Sequence, residues 1–190
     1  MITLDTARRA LSRHRPKSDD GPGAHPAAVA LVLVPSPTGL DALFIRRAVR
    51  SGDPWSGQVA LPGGRQSRGD SDLAATAIRE TREELSVELE TAEPLGILDD
   101  VRPRTTVLPP VFVRPFVFAL PQRPSLTPSA EVESAFWASL SGFLAPGVHQ
   151  EVTLLLHGAK RRFPAYVVDR DVIWGMTERI ISNFFTVTNQ

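Results

Sequence analysis

GGRQSRGDSDLAATAIRETREELSV, residues 63–87, decides both the fold and the chemistry open to this chain. Two glycines lead into a polar loop, where Asp70, Ser71 and Asp72 supply helix-capping chemistry. From Leu73 to about Leu85, the residues Leu73, Ala74, Ala77, Ile78, Thr81 and Leu85 recur at the spacings of one helical face. Glu80 and Glu84 lie four apart on that helix, about 5–6 Å between Cβ atoms, and Glu83 adjoins the same side. Like charges so placed destabilise a helix by about 0.2–0.5 kcal/mol each. A hard cation removes the repulsion, and carboxylate oxygens are the ligands that Mg²⁺ or Mn²⁺ prefers.

Arg79 sits four before Glu83, so it can pair with that carboxylate and fix its rotamer. Gly63 and Gly64 let the backbone turn and approach a ligand closely. A glycine carbonyl there can also ligate a metal. The chemistry implied is attack of a metal-activated water on phosphorus, with one carboxylate taking the water's proton. RETREE by itself also fits a solvated acidic helix held by intrahelical ion pairs. The double glycine after a strand, at fixed distance before the helix, favours the chemical reading.

Working outward, AAVALVLVPS (27–36) reads as a buried strand, ALFIRRA (42–48) as the next, and QVALP (58–62) as a short strand that Gly63 and Gly64 break. Downstream, PLGILDDV (94–101) predicts a strand and VFVRPFVFAL (111–120) one or two, while VESAFWASLSGFL (132–144) mixes helix and strand signals. VTLLL (152–156) and RFPAYVVD (162–169) predict a hairpin, and VIWGMTERIISNFF (172–185) a terminal amphipathic helix. Leu4, Ala7 and Leu11 predict a short N-terminal helix, which residues 16–26, rich in Pro, Gly and Asp, link to the rest. The division is residues 1–26 as helix and linker and 27–190 as one domain. The element order predicts an α/β domain with a mixed sheet and helices on both faces.

The 190 residues suffice for one domain with a sizeable core, and 42% are hydrophobic. Twenty-one basic and 21 acidic residues cancel, so no global field favours nucleic acid or an anionic membrane. No apolar run is long enough to span a bilayer, and the N-terminus lacks the apolar region of a secretory signal. The absence of cysteine excludes thiolate chemistry and fits a cytoplasmic location.

The quoted stretch resembles the Nudix box, G-x5-E-x7-R-E-U-x-E-E-x-G-U with U a bulky aliphatic. Arg79, Glu80, Thr81, Arg82, Glu83 and Glu84 stand for R-E-U-x-E-E, and Val87 for the last U. Ser86 stands where the pattern has Gly and Ser71 where it has its upstream Glu. The pattern's first Gly falls one residue beyond Gly64, so the loop is a residue longer. Together with the lead-in GQVALPGG (57–64), ILDDV (97–101), EVESAFWASL (131–140) and PAYVVDRDVIWGMTERI (164–180), the longer loop looks like the coenzyme A pyrophosphatase branch.

The resemblance implies a Nudix-type α/β/α sandwich and a pyrophosphatase that uses Mg²⁺ or Mn²⁺. Glu80, Glu83, Glu84 and the Gly64 carbonyl would be metal ligands, Arg79 would orient a ligand, and Glu83 would be the general base. Asp72 is the substitute expected for the missing Glu, the alternative being a simple N-cap. The substrate would be a small nucleotide: coenzyme A or an acyl derivative, giving 4′-phosphopantetheine and adenosine 3′,5′-bisphosphate, or else ADP-ribose, a dinucleotide or a nucleoside triphosphate. A module that binds a nucleotide without cleaving it is the rival. Such modules are expected to lose metal glutamates, and this chain keeps three.

Candidate substrate contacts are Arg47, Arg50, Trp55, Gln58, Gly63 and Glu131. Arg47 and Arg50 equally fit solvated strand-end arginines, Trp55 a loop anchor and Glu131 an exposed helix start. Asp53, Pro54, Trp55 and Ser56 stand where the branch often has basic residues for the 3′-phosphate. Trp174, Met176, Ile180 and Ile181 would form a core stripe or, if exposed, a homodimer contact.

Overall fold

The computed structural model describes residues 1–19, 21, 23–104, 110–156 and 158–189. Strand β1 (His25–Ser36) is the spine of the fold. Its Ala, Val and Leu run is buried on both faces, as a central strand covered on both sides requires. Leu33–Ser36 of β1 pair with β2 (Gly39–Arg47), while Ala27–Val29 pair with β4 (Gly63–Arg65) in the register Ala28↔Gly64. Along its other edge β1 runs parallel to β6 (Val111–Ala119). β5 (Glu93–Ile97) pairs with β6, and β3 (Val59–Ala60) and β7 (Val132–Ser139) pair with β2, all antiparallel. The result is a seven-stranded mixed sheet.

Alternation along β1 divides the core into two layers. Ala28, Ala30 and Val32 pack with Ala77 and Leu85 of helix α2 (Leu73–Leu85). Leu31 and Leu33 pack on the other face with Ala7 and Leu11 of α1 (Leu4–Arg13) and Ile180, Ile181 and Phe184 of α4 (Gly175–Thr188). Helices therefore cover both faces, as the sequence predicts.

Three local expectations change. Gly63 and Gly64 do not end in a free loop; they continue as β4 beside β1. Gly63 has φ 150°, and a Cβ there would lie 2.2 Å from the Ala28 carbonyl oxygen, so only glycine fits this close approach. The segment 132–144 resolves into β7 followed by the short helix α3 (Leu140–Phe143). The terminal helix begins later than its apolar pattern suggests, because Asp171–Trp174 form strand β10. β10 joins β8 (His149–Leu156) and β9 (Ala159–Val168) in a second, three-stranded sheet. Ile180 and Ile181 are buried in the core, whereas Trp174 belongs to that second sheet.

Among the described residues no helix is long and apolar enough to cross a membrane.

Candidate active site

Pairing with β1 fixes β4 in the sheet, and α2 lies over that same face. The carboxylates of α2 therefore meet the backbone of the double glycine. The Gly63 N–H donates to Glu84 Oε2 at 2.9 Å. A Cβ added at Gly64 would stand 2.5 Å from the Glu80 carboxyl carbon, so the Glu80 carboxylate occupies the place of the missing side chain.

Arg79 organises the outer side. Its Nε and Nη2 donate to Asp70 Oδ1 and Oδ2 at 2.8 and 2.9 Å, a bidentate pair. Its Nη1 donates to Glu83 Oε2 at 2.9 Å and lies 2.9 Å from Glu80 Oε1. Nη2 also donates to the Arg65 carbonyl at 3.2 Å. Asp70 accepts further hydrogen bonds from the Ser67 N–H and the Thr76 hydroxyl.

Asp70 therefore anchors Arg79, and Asp72 is the plain N-cap, accepting from the Ala75 N–H at 2.8 Å. Sequence reasoning looked to Asp72. The signal that separates them is capping itself: Asp72 turns its side chain to the first turn of its own helix, whereas Asp70, outside the helix, presents both oxygens to Arg79. The helix ends at Ser86, whose left-handed backbone (φ 56°) is the conformation glycine adopts most readily at this place.

Charge and burial set the carboxylates apart. Hydrogen bonding to Arg79 holds Asp70 well below the usual carboxylate range, against the opposing effect of burial. Burial pushes Glu84 up to about 7; the Gly63 N–H and Arg47 oppose this, while Glu80 and Glu131 add to it. Burial also raises Glu80, opposed by Arg79. Glu83 is the open one of the three, its side chain 56% exposed.

These residues suit a divalent cation in donor type: three carboxylates and a backbone carbonyl beside a glycine whose absent Cβ makes room for a carboxylate. Among the described residues, no three acidic or histidine side chains converge on one point as they stand. Instead, Glu84 is held by Gly63, and Glu80 and Glu83 by Arg79.

The remaining candidates divide. Arg47 donates to Asp53 Oδ2 at 2.8 Å, and Arg50 pairs with Glu131 at 3.0 Å. Arg47 and Glu131 both act on the charge of Glu84, so they lie near that carboxylate. Among the described residues the buried Arg47 Nε has no hydrogen-bond partner. Trp55 packs against the core, and the Gln58 side chain donates to the Pro54 carbonyl within its own loop.

The profile described as NUDIX domain matches residues 24–156. A Schizosaccharomyces pombe protein named uncharacterized protein C14C4.10c is 37% identical over 131 residues, covering 66% of this chain and 40% of that one. The uncharacterized Nudix hydrolase NudL of Photorhabdus laumondii subsp. laumondii is 32% identical over 158 residues, 82% of this chain and 80% of that one. The chain thus spans 40% of the first of these relatives and 80% of the second.

Among solved structures, a MutT/nudix family protein from Enterococcus faecalis superposes with a TM-score of 0.59 at 18% identity, over 100% of this chain and 76% of that one. A C. elegans Ap4A hydrolase binary complex does so at 0.50 and 20% identity, over 60% and 80%. Such distant likenesses speak for the fold, and the profile match speaks for the family. With Arg79, Glu80, Glu83 and Glu84 gathered against the double glycine, the chain belongs to the Nudix family.

Proposed function

We propose that this chain is a metal-dependent pyrophosphohydrolase acting on a nucleoside diphosphate linked to another group, with Mg²⁺ or Mn²⁺ as cofactor. The observation that carries this reading is the seating of Glu80 and Glu84 against Gly64 and Gly63 while Arg79 ties Glu83 alongside. Glu80, Glu83, Glu84 and the Gly64 carbonyl would hold the metal, which when bound lowers the pKa of water and neutralises charge on phosphate oxygens. Glu83, the exposed carboxylate, takes the proton of the attacking water at its carboxylate oxygen. Arg79, anchored by Asp70, keeps that carboxylate from swinging away. Products are a nucleoside phosphate and the phosphate of the other group.

Coenzyme A or an acyl-coenzyme A is the leading substrate, by resemblance of residues 57–87 to that branch. One observation favours a second reading, ADP-ribose, a dinucleotide or a nucleoside triphosphate. Arg47 is already paired with Asp53 and Arg50 with Glu131, so part of each guanidinium's charge is met within the protein and its pull on an additional phosphate is weaker. Hydrolysis assays with Mg²⁺ and Mn²⁺ over coenzyme A, ADP-ribose, NADH, diadenosine polyphosphates and nucleoside triphosphates, with product identification, test both. Nucleotide binding without cleavage of any of them would replace the enzyme reading with that of a binding module.

A further inference from the structure

The second sheet has two unlike faces. Tyr166 and Ile173 point to the core, and Tyr166 bonds to Ser182 of α4. Strand register puts Val152 beside Phe163, Val167 beside Val172, and Trp174 beside Ala165 on the opposite face. Leu154 shares that face, and the rings of Phe163 and Trp174 meet there at 5.1 Å. These apolar side chains belong to neither core cluster; Ala165 at the centre is buried beneath its neighbours, and the others are partly exposed. A contiguous apolar sheet face left open in this way marks an interaction surface.

We propose that this face is the contact surface of a two-fold dimer of the chain. The occupant is argued from charge. Arg161 lies on this face at the hairpin end of β9, while Lys160 and Arg162 point to the other. Asp169 lies in the turn at the opposite end, exposed. Neither Arg161 nor Asp169 has a hydrogen-bond or ion-pair partner among the described residues. Both are four residues from Ala165. A two-fold axis through Ala165 stacks the apolar faces antiparallel and brings each Arg161 to the other copy's Asp169, so the surface is self-complementary. Stacked sheets cross at about 30°, which about 13 Å from the axis displaces the ends by roughly 7 Å, a gap that an arginine side chain can close.

The test is the oligomeric state of the full chain by sedimentation equilibrium over a wide concentration range, with thermal melts and hydrolysis rates as controls for folding. A concentration-dependent dimer is expected. Leu154→Glu, Arg161→Glu and Asp169→Arg should each weaken it, Leu154→Glu by at least about thirtyfold in Kd. The double variant Arg161→Glu/Asp169→Arg should restore it, because each new Glu then meets a new Arg. A chain monomeric throughout overturns the proposal. So does a dimer indifferent to Leu154→Glu, a double variant no better than either single one, or a monomer that binds phosphatidylserine vesicles through Leu154.

Discussion

Arg79 and Asp70 are joined by two parallel hydrogen bonds, at 2.8 and 2.9 Å, across a turn that Ser67 and Thr76 also tie to the same carboxylate. The Asp70 side chain is 4% exposed. Removing it leaves a part-buried guanidinium short of its partner, and breaking such a pair costs about 3–5 kcal/mol. Asp70→Ala is expected to lower Tm by several degrees and to reduce kcat, since Glu83 loses its fixed neighbour. Asp72→Ala removes only an N-cap, about 1 kcal/mol. Thermal melts and rates on the two variants check the assignment. An Asp72 variant as damaged as the Asp70 variant would contradict it.

The depressed pKa of Asp70 gives stability a pH signature. Its stabilising charge is fully present above the unfolded value near 4 and is lost as pH falls toward the lower folded value. The Tm difference between the wild type and Asp70→Asn should be constant from pH 7 to pH 5 and should shrink below about pH 4. A difference that grows on acidification would mean that Asp70 is not held as its ionised form.

Glu83→Gln and Glu84→Gln each keep the shape of the side chain and remove its charge. Loss of rate on the order of 10²–10⁴-fold is expected with the fold intact by circular dichroism. Normal hydrolysis by both variants would show that the metal and base roles lie elsewhere.

The two glycines should fail differently. Gly64→Ala places a methyl 2.5–2.6 Å from the Glu80 carboxylate, so it displaces a functional group and should reduce kcat on the order of a hundredfold while the protein stays folded. Gly63→Ala meets backbone at Ala28 and Val29, 2.2 and 2.6 Å away, and strains φ 150°. Its loss should register first as a lowered Tm or as insoluble protein. Parallel melts and assays separate the two.

Asp53 neutralises Arg47 beside the carboxylates. Releasing that guanidinium with Asp53→Ala should raise kcat/KM for coenzyme A relative to ADP-ribose by about tenfold, the scale of one charge-assisted hydrogen bond. An unchanged ratio would remove Arg47 from the substrate site.

Much of this was legible in residues 63–87 alone. The spacing of Ala77, Thr81 and Leu85 gave the buried face of α2, and the four-residue interval from Arg79 to Glu83 gave their ion pair. What stayed hidden depended on contacts distant in sequence. β4 is too short to show a period, and only Ala27–Val29 make it a strand. Val172–Trp174 fit a helical apolar pattern, yet β9 claims them for a sheet. The Arg50–Glu131 pair closes across about eighty residues, which no local rule anticipates.

The loop before α2 is one residue longer than the Nudix pattern, and the side chain that holds Arg79 is an aspartate, one methylene shorter than glutamate. The two departures offset each other, since added backbone slack brings a shorter arm within reach. Neither change is neutral by itself. Shortening the loop alone would strand Asp70 away from Arg79, and lengthening Asp70 to Glu would push it into Ser67 and Thr76. Loop length and acid identity are therefore expected to vary together among relatives.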